Sequence, residues 1–546
     1  MTFSTLRRID ARLLTLSATA FILLFDNLNF WKSFVYATGG LGLRTVPLLL
    51  GTFAVIFLVF NAFLTLVNFR FVIKPVLIVL FVLTAATSYF MGTYGTQIDK
   101  SMVQNLFETD LLEARELLNV QLLFTVLLLG VLPALAVAYT EPTFPRLRRD
   151  LVGKATTVGV SLIVAAAVLL IFFKSLAPAI REHRELRFLL TPTNYIQAVN
   201  GYLRQMLTLP LVVAPLGTDA IKGKRWAGTR RRTVTIMVVG ETARADNFSL
   251  NGYARETNPL LSRQHDLINF SRMQSCGTAT AVSVPCVFSA LGREHYTDRK
   301  ARSQQGLLDV IAHAGFSVLW RDNNSGCKGV CDRVAHENWA APEAGDPLCD
   351  GDECYDERML TNLPELIRNG AQDMLIVLHQ KGSHGPAYWR RYPAAFKHFG
   401  PVCETNELDQ CSRESIVAAY DNTIRYTDYF LSKTIDTLRQ SAAQDDVDTA
   451  LLYFSDHGES LGENNMYLHG APYFIAPSEQ RHVPFMLWLS AGFRTRFAID
   501  ETCLAARRAQ QFSHDNVFHS VLGMLNINTA VYNPALDIFH ACSNGH

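Results

Sequence analysis

The chain has 546 residues, too many for one compact core and enough for two or three domains. Its 50 basic and 49 acidic residues nearly cancel, which argues against a nucleic-acid partner. Apolar residues are unevenly spread: before about Phe173 they form long runs, and from about Thr233 the sequence reads as an ordinary globular domain.

Five apolar segments are each long enough for a hydrocarbon core that needs about 20 residues. They run approximately Leu13 to Trp31, Val46 to Val67, Phe71 to Met91, Leu122 to Tyr139 and Thr156 to Phe173. A cleaved signal peptide does not explain four further spans, so the first reads as a retained helix. Arg7, Arg8 and Arg12 precede it; Arg70 and Lys74 follow the second span; Arg146, Arg148, Arg149 and Lys154 follow the fourth. The alternate loops hold only Lys32 and Arg44, then Lys100 and Arg115 among Glu108, Asp110, Glu113 and Glu116. The positive-inside rule therefore puts the amino terminus in the cytoplasm, and five crossings put the carboxyl domain outside.

The reading divides the chain into a transmembrane domain (1–173), a connector (174–232) and a soluble domain (233–546). In the connector, Arg181, His183, Arg184 and Arg187 alternate with Ile180, Leu186, Phe188 and Leu189, and Tyr195 to Leu209 is also amphipathic. Such segments suit the membrane interface or the flank of a soluble domain equally well. The basic run Lys222, Lys224, Arg225, Arg230, Arg231 and Arg232 fits lipid headgroups or a solvated linker.

All ten cysteines fall at or after position 276, an even number confined to one domain, which suggests disulfides and an oxidising compartment. Neighbours suggest the pairs Cys276/Cys286, Cys327/Cys331, Cys349/Cys354 and Cys403/Cys411, leaving Cys503/Cys542 by elimination. Structural zinc at Cys327/Cys331 and Cys349/Cys354 is the competing reading, but their spacings depart from common zinc knuckles.

Beyond Thr233, β-branched runs alternate with helical stretches, the pattern of an α/β domain with a central sheet. Val234 to Val239, Met374 to Leu378 and Ala450 to Phe454 read as buried strands with polar residues at their ends, where open α/β sheets bind ligands. The first ends in VVGET, with Glu241, and the third in SDHGE, with Asp456 and His457. These carboxylates and the imidazole are donors that zinc accepts, although Asp456 and Glu459 could simply cap a following helix. His384, in GSHGP, and His469, in YLHG, sit beside glycines where a ligand can reach them. Thr280 lies in SCGTATAVSVPCVF between Cys276 and Cys286, either as a nucleophile or as an ordinary hydroxyl in a closed loop. Pro285 fits poorly in a helix begun at Thr280 and better in one begun near Ser283.

VVGET, SCGTATAVSVPC, RDNNSGCKGVCDR at Arg321 to Arg333, GSHGP, SDHGESLGE to YLHG, and the loop MVQNLFETD at Met102 to Asp110 together resemble the membrane-bound lipid A phosphoethanolamine transferases, which include the mobile colistin-resistance enzymes. The resemblance covers nearly the whole chain. It implies five transmembrane helices and a periplasmic domain of sulfatase and alkaline-phosphatase type with a central mixed sheet, in the bacterial inner membrane. It places zinc ligands at Glu241, Thr280, Asp456 and His457. His384 and His469 are implicated in phosphate binding, proton transfer or a second, transient zinc, and Asn324 and Lys328 in holding the substrate headgroup. The implied donor is phosphatidylethanolamine and the acceptor lipid A; a monomer is expected.

The reaction this implies is ping-pong: Thr280 attacks phosphatidylethanolamine, carries phosphoethanolamine as an ester, and yields it to a lipid A phosphate. The added amine lowers surface negative charge and so weakens attraction for polymyxins and other cationic peptides. Competing acceptors are core heptose, periplasmic glucan or a surface protein; competing activities are phosphoglycerol transfer or phosphodiester hydrolysis. A silent membrane scaffold of the same fold would have lost a ligand or the nucleophile, and here every such position is filled.

Overall fold

The computed structural model describes residues 8–43, 45–109, 111–183, 185–207, 212–351 and 353–543. Among the charged residues used above, Arg7, Arg44, Asp110 and Arg184 lie outside the described residues, as do Leu209 and the side chains of Glu113 and Arg181. Two compact units emerge: residues 1–103 with 118–200, and residues 104–117 with 201–546.

In the first unit, helices α3 (Thr45–Leu66) and α4 (Ile73–Thr93) and the apolar stretches Val120–Tyr139 and Leu147–Leu176 are each long and apolar enough to cross a membrane. The fifth expected span is a bent pair, α1 (Ala11–Asp26) and α2 (Leu28–Ala37), meeting at 64°. Asn27 satisfies the backbone opened by that bend. Its amide donates to the Ile22 and Thr191 carbonyls, and its oxygen accepts the Thr191 N–H at 2.9 Å. Without such a partner, a broken ladder in an apolar setting would leave costly unpaired groups. The last span belongs to a helix of 36 residues, Leu147–Glu182, which continues past Phe173 into the expected connector.

The second unit is built on an eight-stranded mixed sheet. In chain order its strands are β1 (Arg232–Gly240), β2 (Leu267–Gln274), β3 (Ser317–Asp322), β4 (Ala335–Asn338), β5 (Met374–His379), β6 (Val447–Ser455), β7 (His482–Leu489) and β8 (Phe512–Ser513). Their spatial order is β8-β2-β7-β6-β1-β5-β3-β4. From β6 to β4 all neighbours are parallel, while β7 runs antiparallel to both β6 and β2. The continuous apolar runs of β1, β5 and β6 suit strands covered on both faces, and nearly every residue in them is buried. Pro484 cannot donate to a ladder, and the β7–β2 register shifts between Val483 and Phe485.

All five disulfides pair as the cysteine spacing suggests: Cys276–Cys286, Cys327–Cys331, Cys349–Cys354, Cys403–Cys411 and Cys503–Cys542.

Candidate active site

The site forms where three adjacent parallel strands end. Ser455 of β6 lies in register with Gly240 of β1, and the Asp456 N–H donates to the Gly240 carbonyl, so Glu241 and Asp456 leave the sheet side by side. On the other flank Gln380, just past β5, donates its N–H to the Val239 carbonyl. Gly382 then folds back over Glu241 at a φ of +55°, and a Cβ there would stand 2.6 Å from the Glu241 carbonyl oxygen. Only glycine permits that close return.

Glu241, Asp456 and His457 are fully buried, with their ligand atoms all within 4.8 Å of one another. The Thr280 hydroxyl joins them, 3.0 and 2.9 Å from the two Glu241 oxygens and 3.3 Å from His457 Nε2. Burial first, and then the Glu241 charge, push the Asp456 carboxyl up to about 7. Burial works against a charged His457, but the Asp456 and Glu241 carboxylates outweigh it and raise the imidazole to about 10. Burial likewise opposes ionisation of Glu241, while the His457 charge overcomes it and holds this carboxyl below the usual range. Among the described residues Asp456 Oδ2 accepts no hydrogen bond, and its near neighbour is His457 Nε2 at 3.4 Å. Two carboxylates, an imidazole and a hydroxyl converging at one buried point are the donor set of a divalent cation. No helix follows His457, so the capping alternative for Asp456 and Glu459 has nothing to cap; the next element is the short strand Ser460–Leu461.

Thr280 opens a helix, Thr280–Val287, with Pro285 inside it. The helix therefore starts three residues before the position Pro285 favours. Proline at 285 supplies no N–H to the Ala281 carbonyl. That carbonyl instead accepts Gln104 Nε2 at 3.4 Å. Ser283 Oγ donates to the Asp456 carbonyl at 2.5 Å, and Cys276–Cys286 closes the segment. Thr280 is thus anchored on both sides of its own hydroxyl.

The remaining expected residues group around this centre. Lys328, His384 and His469 line one cavity with Thr280, together with Asn105, Glu108, Thr109 and Ser325. The His384 and His469 rings lie 5.2 Å apart, and His469 is 4.5 Å from His457. Lys328 Nζ donates to Ser325 and to the Glu108 carbonyl. Asn324 lies behind the centre: its amide donates to Glu241 Oε2 at 2.7 Å and to the Gln380 carbonyl at 3.0 Å. It fixes the orientation of the Glu241 carboxylate.

Two residues packed against the site were not singled out by the sequence as part of it. Glu459, fully buried, accepts the Tyr388 hydroxyl at 2.6 Å on one oxygen and meets His469 Nδ1 at 2.9 Å on the other. A carboxylate on Nδ1 fixes the tautomer that leaves Nε2 as the second working nitrogen. The outgoing signal was only the acidic residue in SDHGE. Glu459→Gln should lower turnover about 10–100-fold while leaving metal content intact. Measured turnover equal to wild type would remove this role from Glu459.

His514 is the second omission. Buried beneath the Thr280 segment, its Nδ1 accepts the Cys276 N–H and its Nε2 donates to the Ser455 carbonyl, a pattern only the neutral ring satisfies. Burial depresses it to about 3 from an ordinary 6.5. Below 6.5 the unfolded chain takes up a proton that the folded chain refuses until about 3, so stability falls as pH drops through that window. The loss is roughly 5 kcal/mol at the limit. His514→Gln should flatten this acid limb, read as the unfolding midpoint of the full chain by tryptophan fluorescence from pH 7 to 4.

Two family models match. One, described as Sulfatase, covers residues 233–527, and the other, described as Phosphoethanolamine transferase EptA/EptB, covers residues 56–207. Phosphoethanolamine transferase EptA of Escherichia coli (strain K12) is 43% identical over 532 residues, 96% of each chain. Phosphatidylethanolamine transferase Mcr-1 of Escherichia coli is 41% identical over 432 residues, 77% of this chain and 79% of that one. The solved integral membrane protein lipooligosaccharide phosphoethanolamine transferase A from Neisseria meningitidis superposes with a TM-score of 0.94 at 34% identity, covering 99% of this chain and 100% of the other. The soluble half is therefore of the sulfatase class. The chain as a whole belongs to the phosphoethanolamine transferase family.

Proposed function

We propose that this chain moves phosphoethanolamine from phosphatidylethanolamine to a phosphate of lipid A through an ester on Thr280, with zinc held by Glu241, Thr280, Asp456 and His457. It does so as an inner-membrane protein with its catalytic domain in the periplasm. The observation that carries the reading is the Thr280 hydroxyl at 2.9 Å from a Glu241 oxygen, within a buried set of metal-ligand types.

A free threonine hydroxyl is a poor nucleophile near neutral pH. Bound zinc would acidify it, as zinc lowers the pKa of water from 15.7 to about 7. The rest falls to the chain. Thr280 Oγ1 forms a bond to phosphorus as the bond from phosphorus to the glycerol oxygen breaks. His469, its Nδ1 held by Glu459, or His384 beside it, gives the departing diacylglycerol oxygen its proton. Lys328 contributes positive charge to the cavity that receives the phosphate oxygens. A lipid A phosphate oxygen then attacks phosphorus, the bond to Oγ1 breaks, and Thr280 is regenerated. The product carries an added amine, which reduces the pull of the surface on polymyxin-like cationic peptides.

Mass spectrometry of lipid A from cells expressing the protein tests the acceptor. One phosphoethanolamine should appear on lipid A with the wild type and none with Thr280→Ala. Unmodified lipid A accompanied by a phosphoethanolamine label on core sugar, glucan or protein would move the acceptor elsewhere.

A further inference from the structure

Residues 104–117 belong in space to the catalytic unit, although they lie between two membrane-spanning segments in sequence. The docking is specific. Gln104 meets the Ala281 carbonyl, Glu108 pairs with Arg302 at 2.7 Å, Phe107 stacks on Tyr202 with centroids 5.1 Å apart, and Asn406 donates to the Glu116 carbonyl at 3.0 Å.

The deepest of these contacts is ionic. Arg391 is 1% exposed, and its Nη2 donates to Glu116, 4% exposed, at 2.5 Å. Its Nη1 pairs with Glu353, in the hairpin closed by Cys349–Cys354. Its Nε donates to the main-chain carbonyl of His384 at 2.7 Å. One planar guanidinium therefore holds three partners from three separate segments, in the fork geometry that arginine alone supplies. Burying such a group is unfavourable for stability taken alone, and a role in fixing one arrangement among alternatives is the best-attested reason for keeping it.

We propose that Arg391 is a positioning residue that couples docking of the 104–117 loop to placement of His384. When Glu116 is seated, the guanidinium is locked and the His384 carbonyl is held in the geometry that presents the imidazole to the cavity. When Glu116 leaves, the guanidinium keeps only Glu353 and the His384 carbonyl, its third anchor is lost, and the Gly382–Pro386 segment loosens with it. Asn105, Glu108 and Thr109 of the loop line the Thr280 cavity. Completing the wall of that cavity and aligning His384 are thus one event. This rests on the proposal that His384 works on the transferred group.

The test uses the full-length protein in detergent micelles with phosphatidylethanolamine as donor, and reads two things for wild type, Glu116→Gln, Arg391→Lys and Arg391→Gln. Hydrogen exchange of peptides covering 104–117 and 382–388 reports the coupling without requiring activity. Steady-state transfer reports its consequence. Glu116→Gln, remote from His384 along the chain, should raise exchange about tenfold in both peptides and raise KM for the donor. Arg391→Lys keeps a charge for Glu116 but lacks the fork, so 104–117 should stay protected while 382–388 exchanges faster and kcat falls about tenfold. Faster exchange of 104–117 in Glu116→Gln with 382–388 unchanged would overturn the coupling. So would wild-type exchange and wild-type kcat in Arg391→Lys. If Arg391→Gln fails to fold, the other two variants carry the decision. If exchange behaves as expected while the wild type transfers nothing, the coupling stands and the activity reading fails.

Discussion

Thr280→Ala should abolish transfer, with a loss on the order of 10⁶-fold, the scale seen when a covalent nucleophile is removed from a hydrolase. The expectation follows from geometry: no other hydroxyl reaches both Glu241 oxygens and His457 Nε2 among the described contacts. Intact mass spectrometry of the wild-type protein incubated with phosphatidylethanolamine should show a phosphoethanolamine adduct, and digestion should place it on the peptide holding Thr280. Thr280→Ser keeps a hydroxyl and should retain part of the activity, whereas the alanine variant should carry no adduct. An adduct on another residue, or turnover by the alanine variant within tenfold of wild type, would end the nucleophile assignment. Because Thr280→Ala removes only a hydroxyl and a methyl at a helix start, it leaves the Cys276–Cys286 brace and the Ser283 anchor in place. The variant should therefore fold, and inactivity should reflect chemistry.

The second large effect concerns the metal. Glu241→Ala should strip the protein of zinc as measured by elemental analysis and reduce transfer to background. Chelation of the wild type should do the same reversibly. Metal present at about 100 times its Kd stabilises the folded state by about 2.7 kcal/mol, so chelation should lower the unfolding midpoint and zinc should restore it. Asn324→Ala gives a graded version, because Asn324 holds Glu241 without belonging to the ligand set. A loss of about 10–100-fold in metal affinity is expected there. Stoichiometric zinc retained by Glu241→Ala would show that the buried cluster is not its site.

The site was legible in the sequence wherever its residues sit at strand ends. VVGET and SDHGE follow apolar runs that read as buried strands, and because β1 and β6 are in-register neighbours, the donors at their ends meet. The cysteine pairs were legible for a related reason: four of the five join residues no more than ten apart, so local spacing carries the information. What stayed hidden depends on distant partners. Glu459 reads as a helix cap until Tyr388 and His469 arrive on its two oxygens. The Thr280 helix breaks the rule for Pro285 because Gln104, 177 residues away, takes the carbonyl that proline leaves unmet. The first span reads as one straight helix because nothing local says that Asn27 will find Thr191. Arg391 carries no motif at all, and its meaning lies wholly in Glu116, Glu353 and the His384 carbonyl.

The membership of residues 104–117 in the catalytic unit bears on how the enzyme can be divided. A fragment beginning near residue 201 would look like a natural soluble enzyme, yet it would lack a piece of its own interior. Arg391 would lose one of its two carboxylates, the Ala281 carbonyl would lose Gln104, and the cavity beside Thr280 would lose Asn105, Glu108 and Thr109. Such a fragment would keep Glu241, Thr280, Asp456 and His457, the four proposed metal ligands, and still turn over poorly. Inhibitors selected against it would be fitted to an open bowl, whereas the complete enzyme offers a walled one.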